Sequence, residues 1–398
     1  MAAKKGSGRK SIPTAERLKL WVRAGGRCQI CNRYLLEGQL VSRELTFGEA
    51  AHIIGQQASE KSARGLAEDL TPKERDSADN LMLVCDDEHD ELDKSGSQDA
   101  FTPSFLRSMK QKHEDRVHLA TSFGDDDRTT PLRVIGWLRA KPVEVNRDAV
   151  AAAVMSGAGR MPRFDLSTRN SIEVDLRGIP GEAEPTAGYY RAATAAIDRV
   201  LDNKVAEAVA SEDIAHLSVF AFARLPLLVY LGSKLDDAVP VDVYQRHRVT
   251  EDWCWPAQDG DAEFTVRLSD RDPASDSAVL VVNVSGTIQH SELPDEVRTL
   301  PIFEVTLDAV PHPDILTGPQ ALTSFGTACR KFLAEIENHG HKHIRLLHVF
   351  AAMPLSAAVV FGRVFAPETH PALQLYDRTE AGYVPALRVG TSETHQVL

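Results

Sequence analysis

The sequence predicts an α/β multidomain protein, and three observations predict it. At 398 residues the chain is long enough for two or three domains of roughly 100–200 residues each. Its C-terminal part contains an internal repeat in which strand-like runs alternate with helical stretches, the pattern of a mainly parallel sheet covered by helices. Ahead of the repeat lies a separate module, ending near residue 122, that holds three of the five cysteines.

Composition excludes several classes. Hydrophobic residues are 43% and charged residues 26%, which rules out wholesale disorder. No run approaches the ~20 apolar residues of a membrane span, so no membrane partner is expected. The basic start, Met1 to Lys10, has no apolar run behind it and does not read as a secretory signal. An odd number of cysteines over this length makes no disulfide framework, and the expected compartment is a reducing cytoplasm. The net charge of −12 argues against a general nucleic-acid binder, but it is uneven. Residues 1–43 hold ten Lys or Arg against Glu16 and Glu37, a balance of +8 that leaves −20 on the remainder. A basic N-terminal segment on an acidic body can find phosphates locally; for residues 1–11 a solvated tail is the plainer alternative.

In chain order, residues 14–24 read as a helix stopped by Gly25-Gly26, and the pair Cys28-x2-Cys31 follows. His52 lies in Glu49-Ala-Ala-His-Ile-Ile, a short apolar strand-like run. Asn80 opens Asn-Leu-Met-Leu-Val-Cys85, with Glu88 and His89 just behind. Thr102 is a good N-cap and Pro103 a good first helical residue, beginning a helix with Phe105, Leu106, Met109 and Val117 roughly along one face. Residues 122–131 read as a linker. The stretch 123–165 is a connector or the edge of the next domain, with a strand over Lys141 to Val145 and an Ala/Val-rich helix capped by Asn146.

Residues 166–398 carry the repeat, with halves of about 166–275 and 276–398. Phe220 to Gly232 and Phe350 to Gly362 each span twelve positions and share an apolar, Ala- and Pro-bearing pattern. Each follows a strand-like run and precedes a second one ending in Tyr244-Gln-Arg246 or Tyr376-Asp-Arg378. Upstream, Ile172 to Gly178 resembles Leu280 to Gly286, and helical stretches follow at roughly 187–210 and 319–337. In open α/β sheets the ligand crevice lies beyond the carboxyl ends of the strands. Those ends carry Arg177-Gly178, Ser285-Gly286-Thr287 and the two Tyr-x-Arg segments.

A Cys-x2-Cys pair joined by Cys85 from a second turn is how a tetrahedral zinc site is built. A redox pair is the alternative, but it needs a strand before it and a helix starting at it; the helical residues 14–24 and the glycine turn favour zinc. Within this bracket the order His52…Asn80-Leu…Cys85-x3-His89 resembles the HNH endonuclease motif, and residues 14–118 match that family's layout. Taken singly, each of these residues is more often structural.

The resemblance implies a ββα-metal nuclease module with a structural zinc and a catalytic divalent metal such as Mg²⁺. It makes His52 the general base toward water, His89 a metal ligand, and Asn80 the residue that holds the motif together and orients the base. Two departures stand out. Ala51 replaces the Asp that many members carry before the first His, so Glu49 becomes a candidate second metal ligand. Glu88 replaces the usual Cys or His before the last His, and is the candidate fourth zinc ligand; the alternative is that His89 completes the zinc site.

The Val-Phe-Ala-Ala-Met-Pro-Leu…Gly…Leu-Tyr-Asp-Arg pattern, with a Trp253-Cys-Trp255 strand, resembles the SAVED domain, two fused CARF-like Rossmannoid halves that bind cyclic oligonucleotides. HNH–SAVED proteins are effectors of bacterial CBASS antiphage defence. Purine faces need aromatic or guanidinium platforms, and phosphates need cations or backbone N–H groups. Stacking candidates are Trp253, Trp255, Tyr244 and Tyr376. Polar candidates are Arg246, Arg378, Arg177, Ser285, Gly286 and Thr287. Core packing is the competing account of both Trp residues, and Cys254 and Cys329 read as inert buried thiols.

The expected function is therefore a metal-dependent endonuclease that degrades double-stranded DNA when a cyclic di- or oligonucleotide drives homo-oligomerisation. Two alternatives stay open. One is an HNH restriction enzyme whose C-terminal domain reads modified DNA, although such a domain should be basic. The other is a zinc-knuckle DNA-binding regulator with a small-molecule sensor, which would not need His52 and Asn80 in this order.

Overall fold

The computed structural model describes residues 11–36, 46–93, 100–138, 141–143, 145–157, 159–164, 172–235, 237–256, 260, 262–268, 275–338 and 341–390. Glu37, Arg43 and the basic residues within 1–10 lie outside the described residues. The chain divides into two compact units, 1–123 and 124–398. Among the described residues no helix is long and apolar enough to cross a membrane.

The first unit is built on a two-stranded antiparallel ribbon. Helix α1 (Thr14–Ala24) ends where Gly25 and Gly26 take φ of 60° and 68°, the left-handed region that glycine enters without strain. Strand β1 (Gly48–His52) follows, then the short helix α2 (Pro72–Arg75), strand β2 (Leu81–Cys85), α3 (Asp86–Asp93) and α4 (Pro103–Thr121). The ribbon registers Gly48 with Cys85 and His52 with Leu81. A Cβ on Gly48 would lie 2.6 Å from the Trp21 ring, so only glycine lets β1 pass this close to α1. Leu20, Leu35, Ile53, Leu83 and Leu106 close the core.

Thr102 caps α4 by accepting the Phe105 N–H at 3.3 Å, with Pro103 in the first turn. The inner face keeps Leu106 and Met109 of the expected residues and departs from the expectation at Phe105. It runs through Leu106, Lys110 and His113, while Phe105 is 48% exposed. Polar residues occupy the inner face because partners await them: His113 Nε2 donates to the Ala24 carbonyl at the end of α1 (3.0 Å), and Lys110 pairs with Glu114.

The second unit holds two sheets. The first uses β3 (Arg128–Ile135), the small ribbon β4 (Trp137–Leu138) and β5 (Lys141–Pro142), α5 (Arg147–Gly157), β6 (Met161–Pro162), β7 (Glu173–Asp175) and α6 (Ala187–Val200). Helix α6 runs on through a π-helical turn (Leu201–Ala206) into α7 (Glu207–Ala210); β8 (Leu217–Phe222), α8 (Leu225–Lys234) and β9 (Val241–Tyr244) complete the half. The second sheet uses β10 (Phe264–Leu268), β11 (Ser277–Asn283), β12 (Ile302–Leu307), α9 (Pro319–Asn338), β13 (Leu346–Ala352), α10 (Leu355–Val364), β14 (Ala372–Thr379) and β15 (Gly382–Val389).

Each sheet has the same parallel centre. In the first, β7, β3, β8 and β9 lie side by side, with β6 also on β3. In the second, β12, β11, β13 and β14 do so, flanked by antiparallel β10 and β15. This shifts the expected repeat by one strand. The segment 173–175 corresponds in position to β12, not to β11; the true counterpart of β11 is β3. Arg128–Ile135, within the stretch read as a connector or domain edge, is therefore a central strand, and the first half begins near residue 124 rather than 166. Periodicity missed β3 because it is buried along nearly its whole length and shows no alternation.

The repeated glycines explain how the halves join. Helices α8 and α10 cross at Gly232 and Gly362. A Cβ on Gly232 would lie 2.1 Å from the Val359 carbonyl oxygen, and one on Gly362 would lie 2.0 Å from the Val229 carbonyl oxygen. The contact is reciprocal, as a pseudo-two-fold requires, and one continuous apolar core spans both sheets.

Candidate functional site

Three thiols meet beside the ribbon of the first unit. The turn after α1 folds back through a bridge between Arg27 and Tyr34, with the Cys28 N–H on the Arg33 carbonyl (2.8 Å) and Asn32 at a φ of 62°. This brings Cys28 and Cys31 to Cys85 at the end of β2, all three Sγ atoms within 4.8 Å of one another. The Cys31–Cys85 separation is 3.7 Å. Sulfurs bound tetrahedrally at about 2.3 Å from zinc lie about 3.8 Å apart, so the donor set fits zinc. Burial, reinforced by neighbouring thiols, pushes the Cys31 thiol up to about 12, while the Arg33 and Glu88 backbone N–H groups hydrogen-bond to Cys31 and Cys85. Such a crowd of thiols ionises readily only around a cation. Glu88 does not join them as expected: among the described residues no fourth His, Cys, Asp or Glu atom groups with the three. Its contribution is its backbone N–H.

Beside the thiols, strand β1 carries His52 next to the Asn80 turn and Glu49 next to His89. Asn80, 4% exposed, spends its whole side chain on backbone: Oδ1 accepts the Ile54 N–H (3.0 Å), and Nδ2 donates to the carbonyls of Ile54 (2.8 Å) and Arg75 (2.9 Å). The end of β1, just beyond His52, is thereby clipped to the end of α2. His89 Nδ1 lies 3.1 Å from Glu49 Oε2, so α3 and β1 present one imidazole and one carboxylate side by side, a donor pair suited to a divalent cation. Ala51 is buried and contributes no donor.

Several residues that sequence reasoning missed complete the frame. His52 Nε2 is 3.0 Å from Asp76 Oδ1, which also accepts from Gln56 Nε2 (3.1 Å). Arg64 donates to the carbonyls of His52 (3.2 Å) and Ile53 (2.8 Å), and the buried Arg75 to those of Gly55, Gly65, Leu70 and Glu68. No local motif announces these partners, because each contact closes a loop of irregular backbone between positions several to tens of residues apart.

In the second unit the expected ligand residues separate into groups. Tyr244 and Tyr376 are stacked on Phe220 and Phe350, centroids 4.4 and 4.2 Å apart. They are equivalent core stacks of the two halves, and Tyr244 is buried. Trp253 is also core, edge-on to Phe220, and the Trp253–Trp255 segment is irregular rather than a strand. Trp255 is half-buried and lines a cleft of about 420 Å³ with Tyr244, Arg160, Asp242, Thr323, Arg330 and Arg363. None of the other expected ligand residues lines it. Arg177 is held bidentately by Asp175 (2.9 and 2.8 Å), Arg378 pairs with Glu292 (2.9 Å), and Arg246 lies 4.0 Å from Glu251. The Ser285 N–H is committed to the Ala352 carbonyl (2.8 Å); Gly286 is half-buried and Thr287 exposed.

The residue between Tyr and Arg in each repeat carries no sequence signal of its own, yet it ties the halves. Gln245 accepts from the Ser356 hydroxyl (2.7 Å) and N–H (3.3 Å) in the first turn of α10. Asp377 accepts from Arg224 (2.7 Å), just before α8, and from the Tyr190 hydroxyl. Arg224 also pairs with Glu182 (2.9 Å). Arg224, Glu182 and Asp377 are all buried, so removing one charge strands the others.

No curated protein matches this chain. Among solved structures it is similar to the Acinetobacter baumannii Cap4 SAVED/CARF-domain containing receptor with the cyclic trinucleotide 2′3′3′-cAAA, at 12% identity and a TM-score of 0.44 over 76% of this chain and 60% of that one. The same receptor with 3′3′3′-cAAA gives 14% identity and 0.44 over 76% and 61%. The Moraxella osloensis Cap4 receptor gives 12% and 0.41 over 76% and 60%. The match thus spans about three fifths of the length of these receptors. Residues 197–389 match the family model described as the SMODS-associated and fused to various effectors sensor domain, and this part of the chain is a SAVED domain.

Proposed function

We propose that the protein is a DNA endonuclease whose first unit hydrolyses phosphodiester bonds under the control of a cyclic di- or oligonucleotide bound by its SAVED domain. The observation that carries the nuclease reading is that Asn80 binds the backbone at the end of the strand that carries His52, while His89 pairs with Glu49 of the same strand. Asn80 is bonded to the backbone two residues beyond His52, and His89 to Glu49 three residues before it.

The chemistry follows from what these side chains can do. His52 takes a proton from the water that attacks phosphorus. Asn80 holds β1 in place so that the imidazole does not drift. His89 and Glu49 are placed to hold a divalent cation, which when bound stabilises charge on the scissile phosphate and the departing oxygen. The three cysteines would hold zinc as a structural brace for the knuckle on which β2 ends.

The SAVED match supports the sensing half of the reading. Ligand-dependent association of the chains would bring two nuclease units onto one duplex, so that both strands are cut. The role is that of a CBASS effector, silent until the messenger appears. The nuclease half is tested by supercoiled-plasmid cleavage with Mg²⁺ and a panel of cyclic di- and trinucleotides. Cleavage that His52→Ala abolishes supports it; cleavage that His52→Ala leaves intact contradicts it.

A further inference from the structure

We propose that Asp76 is the positioning residue of His52, fixing both its tautomer and its ring plane, and that Asn80 acts on the base through it. The proposal rests on the nuclease reading for its catalytic meaning, but its structural content stands apart from that reading.

An ionised carboxylate only accepts hydrogen bonds. The 3.0 Å contact between His52 Nε2 and Asp76 Oδ1 therefore places the imidazole proton on Nε2 and leaves the Nδ1 lone pair as the basic atom. Both side chains are largely shielded, His52 at 18% and Asp76 at 15% exposure, so water competes weakly for the contact. Gln56 donates to the same Oδ1 (3.1 Å) and fixes the carboxylate from a second direction.

The backbone that carries Asp76 is held just as firmly. Its neighbour Arg75, 2% exposed, reaches four backbone carbonyls across the loop. The Arg75 carbonyl in turn accepts from Asn80 Nδ2 (2.9 Å). Asn80 thus grips the chain one residue before Asp76 and two residues after His52, the two ends of the pair. An Asn with these contacts sets the distance between base and orienter. This is a carboxylate–imidazole pair assembled across 24 residues by a third side chain.

The test reads the imidazole directly. Long-range ¹H–¹⁵N NMR of the full-length protein, without added nucleotide, reports the tautomer of each neutral histidine, and His52→Gln identifies the His52 signals by their loss. The wild type should show His52 as a single tautomer protonated on Nε2. Asp76→Ala should give averaged, mixed-tautomer nitrogens at an unchanged melting temperature; Asp76→Ser carries the same expectation where the alanine chain does not fold. Asp76→Glu should restore the single tautomer in part. A mixed tautomer in the wild type, or a single Nε2-protonated tautomer in both Asp76→Ala and Asp76→Ser, overturns the proposal. Plasmid cleavage read on the same proteins separates the two claims. Loss of the pinned tautomer with a kcat about 10- to 100-fold lower and an unchanged KM supports both. Loss of the tautomer with cleavage indifferent to His52→Gln leaves the positioning in place and overturns the nuclease reading.

Discussion

His52 and Asn80 lie at the same end of one short ribbon, and removing each should leave a different signature. Among the described residues the His52 side chain makes one hydrogen bond, to Asp76, so His52→Ala should lower plasmid cleavage by at least about 100-fold while the melting temperature stays within a degree or two of wild type. Asn80→Ala strands two buried carbonyls and one N–H, at about 1–3 kcal/mol for each unsatisfied group, and should lower both activity and melting temperature. The thiols make a third case. The protein should carry one zinc per chain, read by metal analysis, and Cys85→Ser should lose it together with the cooperative melting of the first unit. The ordered residues His52, Asn80 and His89 were legible because their types and order form a pattern along the chain. Asp76, Gln56, Arg64 and Arg75 were not, because their roles exist only once the loop from 53 to 76 has folded back. Tyr244 and Trp253 show the opposite difficulty: an aromatic at a strand end suits a base platform and a core stack equally in sequence, and only Phe220 beneath them decides it.

At the level of elements, the crossing of α8 and α10 is the most exacting contact in the second unit. A methyl group at Gly232 has nowhere to go, because the obstacle is backbone oxygen rather than a mobile side chain. Gly232→Ala should destabilise the unit by about 1–3 kcal/mol in urea denaturation. Gly178→Ala, where an added Cβ meets nothing within 4 Å, should be close to neutral. The repeat that contains these glycines was visible in the sequence as two apolar runs of equal length. What it could not reveal was the strand pairing: β3 is an unbroken buried strand in a region whose neighbours look like linker, and β7 is only three residues long, so the resemblance of 172–178 to 280–286 drew the wrong partners together.

Across the whole molecule, charge and pH act unevenly. Residues 1–123 hold nineteen Lys or Arg and nineteen Asp or Glu, so the entire net charge of −12 belongs to residues 124–398. On the proposed nuclease reading, contacts with DNA fall to the first unit, and cleavage should weaken as salt is raised. Burial lowers the histidines His113, His216, His247, His348 and His370 below the ordinary 6.5. With a depressed folded pKa, the unfolded chain takes up protons first as pH falls. Stability is thus unaffected by these groups well above 6.5 and declines progressively below it. Melting temperatures recorded at pH 7.5 and 5.5 should show a clear drop at the lower value; equal values would contradict the buried, neutral state of these rings.

The central claim joins the two units: a SAVED domain that controls a nuclease. Its most direct measurement is supercoiled-plasmid cleavage by the full-length protein in Mg²⁺ buffer, with and without each of a panel of cyclic di- and trinucleotides. The account predicts intact plasmid without nucleotide, double-strand cleavage with one member of the panel, and none with that member when His52 is alanine. Cleavage of equal rate in the absence of any nucleotide would contradict it.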